Sequence, residues 1–206
     1  MPSDLMNARI NGFGCPSDPN ELEDTTAAGT GDPPPGYNNG RKGNYLACSG
    51  SEELTQLVGG NSHRANGMFV YSNSIGMSDV RDGTSNTLML GEILLVTEGA
   101  SNSRDWRGRY WRADHLSSMF STFLTPNTSV ADKCRTCQGK PDSNPSYAPC
   151  QASTSPQNIS LRSFHPGGVQ VALGDGSVRF ATETVDAGVW KAVGTRNGGE
   201  TDQFPN

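Results

Sequence analysis

His165-Pro-Gly-Gly-Val-Gln-Val-Ala-Leu-Gly-Asp175-Gly176-Ser-Val-Arg-Phe180 is the stretch whose reading decides the fold. Apolar residues alternate with other residues on both sides of Asp175-Gly176, the pattern of two half-buried strands. Asp-Gly favours a two-residue type I′ turn, because that turn needs positive φ at both central positions. The stretch therefore predicts a hairpin, with strands over 168–174 and 177–181. A two-residue loop sets Gly174 opposite Ser177, Leu173 opposite Val178 and Val171 opposite Phe180. Val169, Val171 and Leu173 then share a buried face with Val178 and Phe180, and Gln170 and Arg179 take the other face. A slip of one residue would move a strand's whole apolar set to the opposite face.

His165 and Asp175 invite an acid–base pairing, but the spacing argues against it. A strand rises about 3.3 Å per residue, so the turn lies about 17–20 Å from the strand's start. A hydrogen bond spans about 3 Å. Asp175 is expected to serve the turn. His165, followed by Pro166, Gly167 and Gly168, is expected to order the bend into the strand or hold a neighbouring loop.

The same stretch resembles the H-x9-DG carboxy-terminal domain of prepilin-type, pseudopilin-like proteins. Other segments fit that family from about Cys15 to the end of the chain. They are Cys15-Pro-Ser-Asp-Pro19, Asn66-Gly-Met-Phe69, Ile75-Gly-Met-Ser-Asp-Val80, Asp82-Gly-Thr-Ser-Asn-Thr87 with Gly91-Glu92, and Gly194-Thr-Arg-Asn-Gly-Gly-Glu200. Each is weak alone; linked in this order they are specific. The resemblance implies the globular head of a pilin-like protein outside the cytoplasmic membrane. It also implies a structural role in a type II secretion or type IV pilus-like filament. Its partners would be other pilin-like subunits, joined through an amino-terminal apolar helix. Relatives of this kind begin with a basic leader, a peptidase site and that helix. Met1-Pro-Ser-Asp-Leu-Met-Asn7 carries neither a basic start nor an apolar run. The expectation is that this chain by itself neither inserts into a membrane nor forms filaments.

Composition narrows the alternatives. The chain has 206 residues, enough for one domain or two, and is read as a single unit over 1–206. Within it, 1–60 is loop-rich and 161–206 is the H-x9-DG segment. With 25 Gly, 13 Pro and 33% hydrophobic residues, a small core with long loops is expected. The net charge of −5 and the lack of a Lys/Arg cluster argue against nucleic-acid binding. No run reaches the roughly 20 apolar residues of a membrane-spanning helix. There is no Gly-x-Ser-x-Gly elbow, phosphate-binding loop or His-Glu-x-x-His, so no enzyme activity and no cofactor are expected.

Other elements follow from local pattern. Residues 44–48, 68–71 and 105–111 read as strands, and 51–58 as one or two helical turns. Residues 87–96, the most apolar run, suit a buried central strand. Residues 121–160 form a long excursion bearing Pro and Cys. Residues 184–193 form a short helix, with Val185, Val189 and Val193 at i, i+4 and i+8 and Gly194 as its stop. The fold expected is α+β: an antiparallel sheet, long loops and a short helix near the carboxy terminus.

Cys15, Cys48, Cys134, Cys137 and Cys150 admit disulfides, zinc or free thiols. A small extracytoplasmic core gains from disulfides. At least one is expected within the last three, joining Cys134 or Cys137 to Cys150 rather than closing the tight Cys134-x2-Cys137 loop. An odd count leaves one cysteine over. Zinc on Cys134, Cys137 and Cys150 would need a fourth ligand, supplied by His63, His115 or His165 through tertiary approach. No complete metal set is legible from spacing. Trp106, Tyr110 and Trp111 alternate with Arg107, Arg109 and Arg112. Buried, they are core aromatics edged by arginine. Exposed, they are a platform for sugars or a partner chain, which gives the alternative function: an extracytoplasmic carbohydrate- or protein-binding module.

Overall fold

The Asp175-Gly176 hairpin is present in the computed structural model of the chain and forms one edge of a five-stranded sheet. The structure describes residues 8–20, 41–55, 65–71, 73–96, 105–110, 117–137 and 146–199. The strands are β1 (Tyr45–Cys48), β2 (Leu88–Glu92), β3 (Met119–Phe120), β4 (Asp132–Cys134), β5 (Cys150–Ala152), β6 (Gly168–Leu173) and β7 (Val178–Thr182). Among the described residues one α-helix, α1 (Ala187–Gly194), follows β7. The main sheet runs β3-β1-β2-β6-β7, so the apolar run around Leu88 does supply the central strand.

The sheet is mixed rather than antiparallel. β1–β2, β2–β6 and β6–β7 pair antiparallel, but β3 lies parallel to β1. β4 and β5, inside the long 121–160 excursion, form a second parallel pair. Parallel neighbours require a long connection. Both pairs have one: β2 lies between β1 and β3 in the chain, and Cys137 of the disulfide lies between β4 and β5. Such pairings leave no local turn signature.

The hairpin register differs from the expected one by one residue. Val171 lies opposite Arg179 and Gln170 opposite Phe180. The reason is the turn. Leu173 N donates to Ser177 O and Gly176 N to Leu173 O, both at 2.9 Å, so the loop holds three residues. Gly176 has φ +85°, while Asp175 stays out of the positive region. This is a type I turn closed by a left-handed glycine, the three-residue alternative to type I′. Val169, Val171 and Leu173 are buried as expected. Val178 and Phe180 are not: they are 66% and 41% exposed, and Ala181 is the buried residue of β7. The slip is tolerated because β7 is an edge strand.

Three other expectations change. Residues 51–55 are not helical; Leu54 is buried and bridges Gln157. Residues 68–71 form no ladder, although Phe69 N donates to Cys48 O at 3.0 Å. Asp105 makes a single bridge to Cys137, and Gly108 at φ +91° turns the chain where a strand was expected. In each case a tertiary partner outcompetes a short local preference.

α1 starts after Asp186, whose carboxylate accepts from Gly188 N at 2.8 Å and Val189 N at 3.1 Å. Its buried residues are Trp190, Ala192, Val193 and Gly194, while Val185 and Val189 are half-buried. Gly194 is the last helical residue, not a left-handed stop. A Cβ there would lie 2.0 Å from Thr122 Oγ1, so its smallness lets the helix close on the segment after β3. The core is one contiguous cluster that includes Leu46, Leu88, Phe120, Leu161, Val171, Leu173 and Trp190.

Candidate functional site

Glu92 is a carboxylate at the end of the most apolar strand, with its side chain only 2% exposed. Two residues far away in sequence meet it. His165 Nε2 lies 3.4 Å from Glu92 Oε1 and 3.7 Å from Cys15 Sγ. The three donor atoms all lie within 4.8 Å of one another. Cys15 comes from the Cys-Pro-Ser-Asp segment, Glu92 from Gly-Glu, and His165 from the opening of the H-x9-DG stretch. Cys15 and His165 stand out in the sequence as candidates; Glu92 is legible there only as the end of a motif. The signal is a lone carboxylate within the apolar run of 87–96.

Each side chain is fixed by its backbone. Cys15 N donates to Asn44 Oδ1 at 2.9 Å, and Asn44 Nδ2 in turn donates to Asp18 Oδ2 and Ile93 O. Asp18 also accepts from Leu95 N at 2.8 Å. The Cys-Pro-Ser-Asp segment is thereby latched to the chain leaving β2. His165 N donates to Ser163 Oγ, and Ser163 Oγ donates to Gly168 O. Glu92 Oε2 accepts from Gln170 N at 3.2 Å, which leaves Oε1 facing the histidine. Burial, then the hydrogen bond to Glu92, push the Cys15 thiol above its ordinary value. Tyr45, paired with Glu92 across β1–β2, is pushed up to about 12 by burial and then by the charges of Cys15 and Glu92. A surface depression of about 610 Å³, lined in part by Arg9, Asn11, Asp18 and Asn20, reaches Cys15.

Gly167 and Gly168 serve this site by different means. Gly167 sits at φ +83° with open space around it, so it bends the chain after His165. A Cβ on Gly168 would lie 2.1 Å from Ala181 O, so only glycine lets β6 begin against β7. Asp175 is at the far end of β6 and serves the turn. It accepts from Ser177 N and Oγ, and those bonds hold its carboxyl below the ordinary value.

The remaining cysteines form a buried group. Cys137 and Cys150 are joined, one of the two pairings expected, and Cys134 Sγ lies 3.2 Å from Cys150 Sγ. Cys15, Cys48 and Cys134 are free thiols. Burial pushes Cys48 up to about 12 and raises Cys134 well above its ordinary value. His165 is committed to Glu92 and Cys15; His63 and His115 lie outside the described residues.

The aromatic platform is not exposed among the described residues. Trp106 is buried, with the Arg109 guanidinium 5.3 Å from its ring centre. Tyr110 is half-buried against Phe13, and Trp111 lies outside the described residues. Arg107, expected at the edge of the aromatics, is fully buried. Its guanidinium pairs with Asp105 at 2.6 Å and Asp132 at 2.8 Å, and Arg162 pairs with the other oxygen of Asp132 at 2.6 Å. This four-charge network ties β4 to the segment before β6.

No curated protein and no solved structure matches the chain. One family model does match, described as "Protein of unknown function (DUF1559)", over residues 2–188. That span takes in Cys15, Glu92, His165 and the hairpin, and on it the chain belongs to the DUF1559 family.

Proposed function

We propose that this chain is the globular head of a pilin-like subunit, a structural component or accessory of a type II secretion or type IV pilus-like filament outside the cytoplasmic membrane. What supports the reading is that the motif segments are occupied in holding one another. Cys15 and Asp18 meet Asn44, Glu92 and His165. Asp82 accepts from Thr195 Oγ1, Gly198 N and Gly199 N. Arg196 O accepts from Arg81 N, and Arg196 Nη1 donates to Gly67 O. The Asp-Gly turn docks on the 82–87 segment through Gly174 N to Thr87 O and Asp175 N to Thr84 O. A signature built of mutual ties suits a scaffold. The Cys137–Cys150 disulfide fits an oxidising compartment. No helix among the described residues is long and apolar enough to cross a membrane. In this reading, membrane anchoring and assembly rest on an apolar helix like that of pilin-like proteins.

The test joins the chain to a prepilin leader and apolar helix and expresses it with the matching peptidase. Processing, membrane association and recovery of the head in sheared surface filaments are expected. A processed, anchored product that never enters filaments overturns the reading and favours a binding module. The burial of Trp106 weighs against a binding platform that uses its ring.

A further inference from the structure

We propose that Cys15, Glu92 and His165 form a binding site for one divalent transition metal ion of the zinc class. The inference stands on geometry and donor chemistry and is independent of the filament reading.

The His165–Glu92 contact is longer than a good N–H···O bond, whereas the Cys15–His165 distance is one that a sulfur hydrogen bond and a metal edge share. Good N–H···O bonds lie at about 2.7–3.2 Å. The His165–Glu92 separation is 3.4 Å and the Cys15–His165 separation 3.7 Å. In a tetrahedral zinc site, with Zn–S about 2.3 Å and Zn–N and Zn–O about 2.0–2.2 Å, adjacent donors sit about 3.3–3.6 Å apart. The two observed separations are close to such edges, and the third pair is within reach of closing on an ion.

Charge points the same way. Glu92 is buried, and its described partners are the Gln170 N–H, the Cys15 thiol and His165. None carries a permanent positive charge, and among the described residues no Lys or Arg pairs with it. A buried carboxylate left so is costly. A dication with one thiolate and one carboxylate neutralises the site, and coordination itself deprotonates the thiol. Thiolate and imidazole select zinc-class ions, whereas calcium and magnesium want oxygen ligands. Three protein donors leave one coordination position, and His165, 27% exposed, gives it access to solvent. The donors are preorganised by outer bonds from Cys15 N to Asn44 Oδ1 and from Gln170 N to Glu92 Oε2. The other sulfur cluster is a poorer candidate, because Cys137 and Cys150 are consumed in the disulfide.

The test uses the purified chain, stripped with chelator and kept free of reductant. Equilibrium dialysis against Zn²⁺ should give one ion per chain, and Co²⁺ should give a sulfur-to-metal charge-transfer band. Cys15→Ser, Glu92→Gln and His165→Ala should each weaken zinc binding by more than about 100-fold, beyond what loss of an outer partner costs. Cys134→Ser should leave binding unchanged. A second readout needs no variant. At zinc 100 times Kd only about 1% of the sites stay empty, so alkylation of Cys15 should slow about 100-fold. Labelling of Cys134 and Cys48 should not change. Unchanged Cys15 labelling, zinc retained in full by Cys15→Ser, or zinc lost in Cys134→Ser would overturn the proposal.

Discussion

Gly176 holds φ +85°, and a Cβ added there would meet nothing within 4 Å, so the cost of replacing it is conformational alone. Gly176→Val should destabilise by more than about 1 kcal/mol, since a β-branched residue is poor at positive φ. Gly176→Asn should cost less, because Asn visits that region more readily. Equal denaturation midpoints for wild type and the valine variant would refute this account of the turn. Asp132 presents a different kind of dependence. It stands between Arg107 and Arg162 with every side chain in the network at most 5% exposed. Asp132→Asn leaves two buried guanidinium groups under-compensated and should cost about 3–5 kcal/mol. Asp105 gives the pH signature. Burial pushes its carboxyl up, but the Arg107 charge and hydrogen bonds outweigh that and hold it below 3.8. A folded value below the unfolded one means the contribution is full above about pH 4 and fades as pH falls through the folded value. Stability of wild type should therefore drop more steeply on acidification than that of Asp105→Asn. Parallel acid profiles would exclude that linkage.

At the scale of elements, the hairpin separates two registers by mutation. With Val171 opposite Arg179, Val171 is 2% exposed and Phe180 41% exposed. Val171→Ala should cost about 2 kcal/mol, from lost burial and the space left behind. Phe180→Ala should cost less than about 1 kcal/mol, as a surface change does. A larger loss at Phe180 than at Val171 would restore the register of the two-residue turn. The small β4–β5 sheet is held covalently as well. The Cys137–Cys150 bridge closes a short loop and should contribute about 3 kcal/mol through the unfolded state. Mass spectrometry of unreduced, denatured, alkylated protein should show labels on Cys15, Cys48 and Cys134 only. Labels on all five cysteines would remove the bridge from the account.

For the whole molecule, the segments with family character meet at separate junctions, one at Cys15, Glu92 and His165 and one at Asn66, Asp82 and Arg196. The second junction ties the chain after α1 back to the 82–87 turn. Asp82→Ala removes three acceptor contacts at once, to Thr195, Gly198 and Gly199. Amide exchange should then rise over 195–199 while the β6 amides keep their protection, because local opening there need not unfold the sheet. Loss of protection throughout would show that the junction carries the global fold.

The sequence by itself determined the strands whose signal is local: β1, the central β2, the hairpin's existence and the short helix near the end. It also favoured a bridge from Cys150 to Cys134 or Cys137 over one between those two. Alternation, a turn dipeptide and a run of apolar residues act over a few neighbours, so they are legible without a fold. Only the tertiary structure decided the rest. The hairpin register hung on one loop residue, which both turn types allow. The parallel pairings join strands across long connections that carry no turn signal. Glu92, Cys15 and His165 are brought together from three distant segments, and Asp132 gathers two arginines in the same way. Such groupings arise because buried charge and unsatisfied donors must find partners wherever the packed chain supplies them, and sequence spacing does not record that search.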